Sequence, residues 1–254
     1  MDLPRTPSFR LDGKRALVTG GTRGIGLAAA VALADAGAAV TVVARSAADV
    51  DTVVGAMEAG GYRIDGHAMD VTDHPAARAF VNDRAPYDVL VNSAGSARHA
   101  AFLDITEADY RAVLELNLAA TLFLSQAVAR KLVAASKPGS IIHISSQMGH
   151  VAGPGRAVYA ASKHAVEGLT KAMAIELGPH NIRVNSICPT FIETALSAKS
   201  LSDPAFKAWV LGKIKLGRLG RIEEIMGPVV FLASDASSLM TGSALMVDGG
   251  WTAE

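Results

Sequence analysis

The stretch Thr19-Gly20-Gly21-Thr22-Arg23-Gly24-Ile25-Gly26 decides the fold of this chain. It follows a short apolar run and precedes an Ala-rich segment of helical length that extends to Gly37. A strand, a glycine turn and a helix in this order form a dinucleotide-binding unit, whose helix N-terminus faces the pyrophosphate. Gly20 allows the tight turn, Gly24 lets the backbone approach the pyrophosphate, and Gly26 lets helix and strand pack closely. The predicted binding residues here are Gly20, Thr22, Arg23, Gly24, Ile25 and Gly26.

The rest of the chain repeats the same alternation of short apolar runs with segments of helical length. Strands that are apolar on both faces and separated by helices favour a parallel sheet covered on both sides. We therefore predict an α/β fold: a Rossmann-type, doubly wound parallel sheet of about seven strands in a single domain of residues 11–254, after a leader of residues 1–10. The predicted strands are Ala16–Thr19, Val40–Ala44, Gly66–Met69, Val89–Asn92, Ile141–Ser145, Ile182–Ile187 and Leu245–Val247.

Composition limits the classes of partner. Half of the 254 residues are hydrophobic, enough for a two-sided core. Basic and acidic residues number 24 each and no long run of like charge occurs, so we expect no nucleic-acid partner. The opening Met1–Arg5 has no apolar core and no uncharged apolar run of about 18 residues follows, so neither a signal peptide nor a membrane span is expected. The only cysteine, Cys188, cannot form an internal disulfide, which fits a cytoplasmic protein.

Three residues in the second half indicate proton-transfer chemistry. Ser146 and Tyr159 are 13 residues apart, and Lys163 follows in the spacing Tyr-x-x-x-Lys. Positions four apart share one face of a helix, so the ammonium is expected to approach the phenol and lower its pKa from about 10. We therefore expect Tyr159 to exchange a proton with a substrate oxygen and Ser146 to hydrogen-bond to the same oxygen.

The end of the second predicted strand bears on the choice of cofactor. An NAD site usually places an acid here for the ribose hydroxyls, whereas the sequence reads Ala44-Arg45 and offers no acid before Asp49. Ala44 removes a charge that would repel a 2′-phosphate, and Arg45 supplies a cation for it. NADP(H) is therefore the predicted cofactor, with NAD(H) possible; the alternative is that Arg45 and Arg23 stack on adenine or face solvent.

Taken together, these motifs resemble the short-chain dehydrogenase/reductase superfamily, and within it bacterial 3-oxoacyl-(acyl carrier protein) reductases and sugar or gluconate dehydrogenases. The resemblance, from about residue 11 to the end, implies an NAD(P)-dependent enzyme that interconverts an alcohol and a carbonyl, and a homotetramer. It also implies that Asn117 joins the catalytic residues Ser146, Tyr159 and Lys163. The further cofactor residues that it implies are Asp70, Val71, Asn92, Ala94, Gly95, Tyr159, Lys163, Pro189, Ile192 and Thr194. The chain departs from the pattern at Ser93, where a second Asn is usual, and at Thr190, where Gly is usual.

The substrate is predicted from polar residues around the presumed catalytic tyrosine and a candidate lid over 189–217. They favour a small polar substrate such as a sugar, a sugar acid or another hydroxy or keto acid. The candidate substrate residues are Ser146, Gln147, Tyr159, Arg98, His150 and Arg156.

Two other functions stay open, and a metal centre is not expected. A 3-oxoacyl-(acyl carrier protein) reductase would need a basic docking surface, to which Arg130, Lys131 and Lys137 could contribute. A non-catalytic nucleotide sensor or scaffold would use the fold alone. The seven histidines show no paired spacing such as His-x-x-x-His, so no metal ligands are predicted.

Overall fold

A seven-stranded parallel sheet forms the centre of the computed structural model, which describes residues 1–253, with side chains at all of these positions except 196 and 199. The strand order is β3-β2-β1-β4-β5-β6-β7. The predicted fold class is confirmed, with strand ends shifted by at most two residues. The strands are β1 Arg15–Thr19, β2 Ala39–Ala44, β3 Ile64–Ala68, β4 Val89–Asn92, β5 Gly139–Ile144, β6 Ile182–Pro189 and β7 Ala244–Val247.

Helices cover both faces of the sheet and form two apolar cores. One core joins α1, α2 and α9 to the sheet through side chains such as Leu33, Val53 and Leu232. The other joins α3, α5 and α6 through Phe80 and Leu124, among others. The helices are α1 Gly24–Asp35, α2 Ala47–Ala59, α3 His74–Asn82, α4 Glu107–Leu114, α5 Ala120–Ala134, α6 Ala157–Leu177, α7 Ala195–Leu201, α8 Pro204–Lys213 and α9 Met226–Ala233.

A π-helical turn, Glu115–Ala119, joins α4 and α5 into one continuous helix. This helix, Glu107–Ala134, has 28 residues and by length and composition could cross a membrane, but half of its most apolar window is buried inside the protein. A core helix passes the same test, so this one helix is weak evidence for a span.

The segment predicted as a lid contains two short helices, α7 and α8. Its aromatic side chains pack with the C-terminal Trp251: the Phe191 and Trp251 rings are 5.9 Å apart, and Trp209 meets Trp251 edge-on at 5.4 Å. Phe206 stacks on Trp209 at 5.6 Å. This aromatic cluster ties the segment to the body of the protein beside the carboxyl end of β6.

The closest backbone approach in the glycine turn lies between the start of α1 and the end of β1. A Cβ at Gly26 would lie 2.2 Å from the Gly20 carbonyl oxygen. Gly20 itself has φ +64°, and a Cβ there would lie 3.1 Å from Ala94. Only glycine permits this packing at both positions.

We expect Gly26→Ala to lower Tm by several degrees, because backbone must move to make room and such overpacking costs about 1–3 kcal/mol or more. The matched control is Gly55→Ala in α2, where a Cβ would meet no atom within 4 Å. Helix propensity favours this control by about 1 kcal/mol, so its Tm should rise. Differential scanning calorimetry of both variants measures the contrast, and an unchanged Tm for Gly26→Ala would contradict the packing argument.

Candidate active site

The carboxyl ends of the central strands bring the predicted site together. The sheet order reverses between β1 and β4, so the connections after these two strands leave in opposite directions and open a crevice. The glycine turn follows β1, the segment 92–95 ends β4, Ser146 follows β5 and Pro189 ends β6. Parallel pairing therefore places all four segments at one edge.

The N-terminus of α1 is suited to an anion. Arg23 is the N-cap residue and makes no side-chain capping hydrogen bond, and the first turn has no acidic residue. By contrast, Ser46 caps α2 and Thr106 caps α4 with side-chain oxygens. The first N–H groups of α1 and its positive dipole end thus remain available to a phosphate group. Together with the glycine packing, this geometry fits the pyrophosphate of a dinucleotide.

Thr19 links the glycine turn to the end of β4. Its Oγ1 accepts hydrogen bonds from Ser93 N and Ala94 N, both at 3.1 Å. Asn92 is buried and donates to Ser125 Oγ at 2.9 Å, so its side chain faces α5 rather than the crevice. The Ser93 hydroxyl lies 3.2 Å from where a Cβ at Gly26 would stand, so serine in place of the usual Asn packs against α1.

Arg45 and Asp70 lie together at the ends of β2 and β3. Arg45 is exposed, and its charge contributes to lowering the pKa of Asp70, after the hydrogen bonds from Thr72. Asp70 Oδ1 accepts from Thr72 N at 3.0 Å and from Thr72 Oγ1 at 2.8 Å. One carboxylate oxygen therefore holds the turn, whereas Val71 beside it is buried. The contact of Asp70 with adenine stays a prediction.

Ser146, Tyr159 and Lys163 converge as their spacing predicts. Ser146 lies two residues after β5, and its hydroxyl opposes the rise in the pKa of the Tyr159 phenol. Its hydroxyl donates to Gln147 Oε1 at 2.6 Å and accepts from Met148 N at 3.1 Å. Lys163 Nζ lies 5.7 Å from the centre of the Tyr159 ring. The three groups thus share one face of the crevice.

The pKa of Tyr159 differs from the expectation. Burial raises the pKa of the phenol above 10.0, against the opposing effects of the Ser146 hydrogen bond and the Arg156 charge. The Lys163 ammonium, 5.7 Å from the centre of the Tyr159 ring, donates to the Ile144 carbonyl at 2.8 Å. Ser146 and Arg156 thus favour the phenolate against the effect of burial.

Lys163 is a buried cation. Burial lowers its pKa from 10.5 to about 8, and the negative charge of Glu167 opposes this shift. The Ile144 carbonyl is its one hydrogen-bond partner among the residues that the structure describes. The remaining ammonium protons are free for partners in the crevice.

Asn117 lies inside the π-helical turn and is 1% exposed. Its Oδ1 accepts from Ser96 N at 2.9 Å, and its Nδ2 donates to Ser96 O at 2.9 Å and to Ser162 Oγ at 3.1 Å. A Cβ at Gly95 would lie 3.3 Å from Asn117 Oδ1 and 3.9 Å from Lys163 Nζ. Asn117 therefore fixes the loop after β4 directly beside Lys163.

The segment after β6 reaches both the glycine turn and the aromatic cluster. Thr194 caps α7, and its Cγ2 lies 3.7 Å from where a Cβ at Gly24 would stand. Ile192 is buried and bridges to Gly220. Thr190 does not adopt the positive φ that glycine would favour, and its buried Oγ1 has no hydrogen-bond partner among the described residues.

The predicted substrate residues separate into two groups. Gln147 and Arg156 lie next to Ser146 and Tyr159. Arg98 is exposed and forms a 2.6 Å ion pair with Asp109, so its charge is already balanced away from the tyrosine.

His150 joins a cluster that sequence reasoning missed. The ligand atoms of His150, Glu167 and Cys188 all lie within 4.8 Å of one another. Cys188 Sγ is 3.5 Å from His150 Nε2 and 3.4 Å from Glu167 Oε1. These residues lie on three separate elements, so no local spacing could have indicated the group. Ser186 also donates to Glu167 at 2.9 Å, so the buried Glu167 and Cys188 and the exposed His150 form one hydrogen-bond network.

Comparison with known proteins identifies the family. A family model described as "Enoyl-(Acyl carrier protein) reductase" matches residues 20–252. D-erythrulose reductase of Gallus gallus is 41% identical over 96% of this chain and 98% of its own length. Gluconate 5-dehydrogenase of Gluconobacter oxydans (strain 621H) is 39% identical over 96% of both chains. The chain belongs to the short-chain dehydrogenase/reductase superfamily.

A solved structure supports the same assignment and the cofactor. The gluconate 5-dehydrogenase from Burkholderia cenocepacia J2315, in complex with NADP and tartrate, superposes with a TM-score of 0.93 at 38% identity, covering 97% of this chain and 98% of that chain. The protein is thus an NAD(P)-dependent oxidoreductase that interconverts a secondary alcohol and a ketone.

We expect Asn117→Ala to lower Tm by about 2–8 °C, because it leaves two Ser96 backbone groups without partners at a cost of about 1–3 kcal/mol. Displacement of the loop beside Lys163 should also lower kcat. The control is Asn82→Ala at the exposed end of α3, which should change Tm and kcat little. Thermal unfolding measures Tm and steady-state kinetics measures kcat. Equal Tm and kcat for the two variants would contradict the positioning role of Asn117.

Proposed function

We propose that the enzyme interconverts a ketone and a secondary alcohol on a small polyhydroxylated substrate, a sugar or sugar acid, with NADP(H). The observation that carries the proposal is the polar surround of the reacting phenol: Ser146 and Gln147 are hydrogen-bonded to each other next to Tyr159, and Arg156 acts on it electrostatically. Such side chains suit hydroxyl-rich molecules, which exchange their water hydrogen bonds for protein ones. The sugar reductases and dehydrogenases among the relatives support the same class.

Tyr159 transfers the proton in the proposed mechanism. In reduction its phenol donates to the substrate oxygen, and in oxidation its phenolate accepts the alcohol proton. Ser146 hydrogen-bonds to the same substrate oxygen and stabilises the charge that develops on it. The bound nicotinamide supplies or accepts the hydride.

Lys163 and Asn117 support this proton transfer. Lys163 has donors left beyond its bond to the Ile144 carbonyl, and these suit a ribose hydroxyl of the cofactor. Asn117 fixes Ser96 and Gly95 beside the ammonium. We propose that the segment 189–217 closes over the substrate as a lid, because Thr194 and Phe191 connect it to the glycine turn and to the aromatic cluster.

Surroundings and assembly complete the proposal. We infer a cytoplasmic homotetramer that binds neither nucleic acid nor membrane. The single buried cysteine supports the cytoplasmic location, and the balanced charge supports the absence of a nucleic-acid partner. Exposed apolar side chains on the helices, such as Tyr110, Phe123 and Ile175, supply surface for contacts between copies.

Tyr159→Phe is expected to keep cofactor binding and lower kcat by about 10²-fold to 10⁴-fold, because the proton donor is gone while the ring still packs. NADPH fluorescence titration and steady-state kinetics separate the two effects. Tyr110→Phe, an exposed tyrosine in α4, is the control with the same chemical change. Normal turnover by Tyr159→Phe would refute the proton-transfer assignment. Conversely, reduction of 3-oxoacyl thioesters without activity on sugars would favour the acyl reductase instead.

Arg45→Asp is expected to reduce kcat/KM with NADPH by at least about 10-fold and to improve the use of NADH relative to NADPH, because it replaces an attraction for the 2′-phosphate with repulsion. Arg78→Asp makes the same charge change at an exposed site on α3 and should leave the cofactor ratio unchanged. If wild-type protein has the higher kcat/KM with NADH, the NADP preference is wrong whatever the variants do.

A further inference from the structure

Arg156 is a buried cation without an acidic partner among the residues that the structure describes. The residue is 9% exposed and precedes α6, three positions before Tyr159. Among the residues that the structure describes, no carboxylate lies within salt-bridge distance of its guanidinium, whereas Arg98 pairs with Asp109 and Arg218 pairs with Glu224. A buried guanidinium without an anion costs several kcal/mol, so such an arrangement needs a compensating partner.

The surroundings of Arg156 hold it firmly without neutralising it. Its Cζ lies 5.6 Å from the centre of the Phe191 ring and 5.1 Å from that of Phe206. Its Nη1 donates to His99 Nε2. Partial desolvation and the charge of Arg156 lower the pKa of His99 to about 4, so this imidazole is neutral at pH 7 although part of it is exposed. The other guanidinium donors have no acceptor among the described residues.

The position of Arg156 relative to the reacting groups is equally informative. Arg156 and Tyr159 are three residues apart at the start of α6 and interact electrostatically. The His99 ring meets the Tyr159 ring edge-on at 6.3 Å. An anion on Arg156 would therefore belong to the same small molecule whose oxygen meets Tyr159.

We infer that the substrate is a carboxylate, a keto or hydroxy acid of the sugar-acid class, and that Arg156 binds its carboxylate group. This inference rests on the proposed function and narrows it. The planar guanidinium presents paired N–H donors that match two carboxylate oxygens. A neutral ketose would leave the cation unpaired, and this penalty selects against it. Because one cation faces this position and His99 is neutral, a carboxylate fits it better than a phosphate dianion.

Kinetics with a charge-matched panel provides the first test: 5-keto-D-gluconate as the acid, L-xylulose and D-fructose as neutral ketoses, and D-fructose 6-phosphate as the phosphate. We expect the highest kcat/KM for the acid. Arg156→Gln should lower it by about 10-fold to 100-fold, mainly through KM, and change the values for neutral ketoses less than about threefold. Arg156→Lys should retain part of the preference. Arg111→Gln removes an exposed arginine of α4 that pairs with Glu107, and it serves as the control.

Binding without turnover provides the second test. With the NADP⁺ complex, D-gluconate should raise Tm of the wild type and of Arg111→Gln but not of Arg156→Gln, and neutral sorbitol at the same concentration should raise none of them. Equal stabilisation by gluconate and sorbitol, undiminished gluconate binding by Arg156→Gln, or preference for the sugar phosphate would each overturn the inference. If neutral ketoses are reduced best and Arg156→Gln changes no kinetic constant, the inference fails while the proposed function stands. If no member of the panel is turned over, the proposed function fails. In that case the binding of gluconate still shows whether Arg156 forms an anion site.

Discussion

The close approach of Gly26 to the Gly20 carbonyl is the constraint on which the rest of the site depends. It fixes α1 directly over the end of β1, so the uncapped first turn of α1 faces the crevice at the reversal of the sheet order. Ala94 is held against the same turn through Thr19. The nucleotide end of the crevice is therefore built from backbone contacts, in which the absence of side chains matters more than their chemistry.

The other end of the crevice is built from buried polar groups. Lys163 and Arg156 both carry charge at positions that exclude most solvent, and the protein supplies them with a carbonyl and a neutral imidazole. Neither partner cancels the charge, so both cations retain capacity to bind. Burial of these charges destabilises the fold. It also strengthens their electrostatic interactions, because the protein interior screens charge less than water does.

Sequence reasoning succeeded where information is local or periodic. The glycine spacing predicted the turn, the apolar runs predicted all seven strands, and Tyr-x-x-x-Lys placed Tyr159 and Lys163 on one helical face. It failed where tertiary contacts decide. The Ile144 carbonyl that takes the Lys163 ammonium is a backbone group, and the pairing of Arg98 with Asp109 depends on how a loop meets α4. Charged residues in a loop look equivalent in the sequence, and only their burial and their hydrogen-bond partners in the structure show which of them can bind a ligand.

The π-helical turn at Glu115–Ala119 also determines where this helix can gain or lose a residue. A π turn holds one residue more than the corresponding α-helical turn, and each residue rotates a helix by about 100°. Removal of one residue from this turn would restore an ordinary helix with α4 and α5 nearly in phase, whereas the same deletion elsewhere in the helix would rotate everything beyond it by about 100°. A change of one residue in length could thus be absorbed at this turn, but only by rebuilding the backbone that carries Asn117 to Ser96.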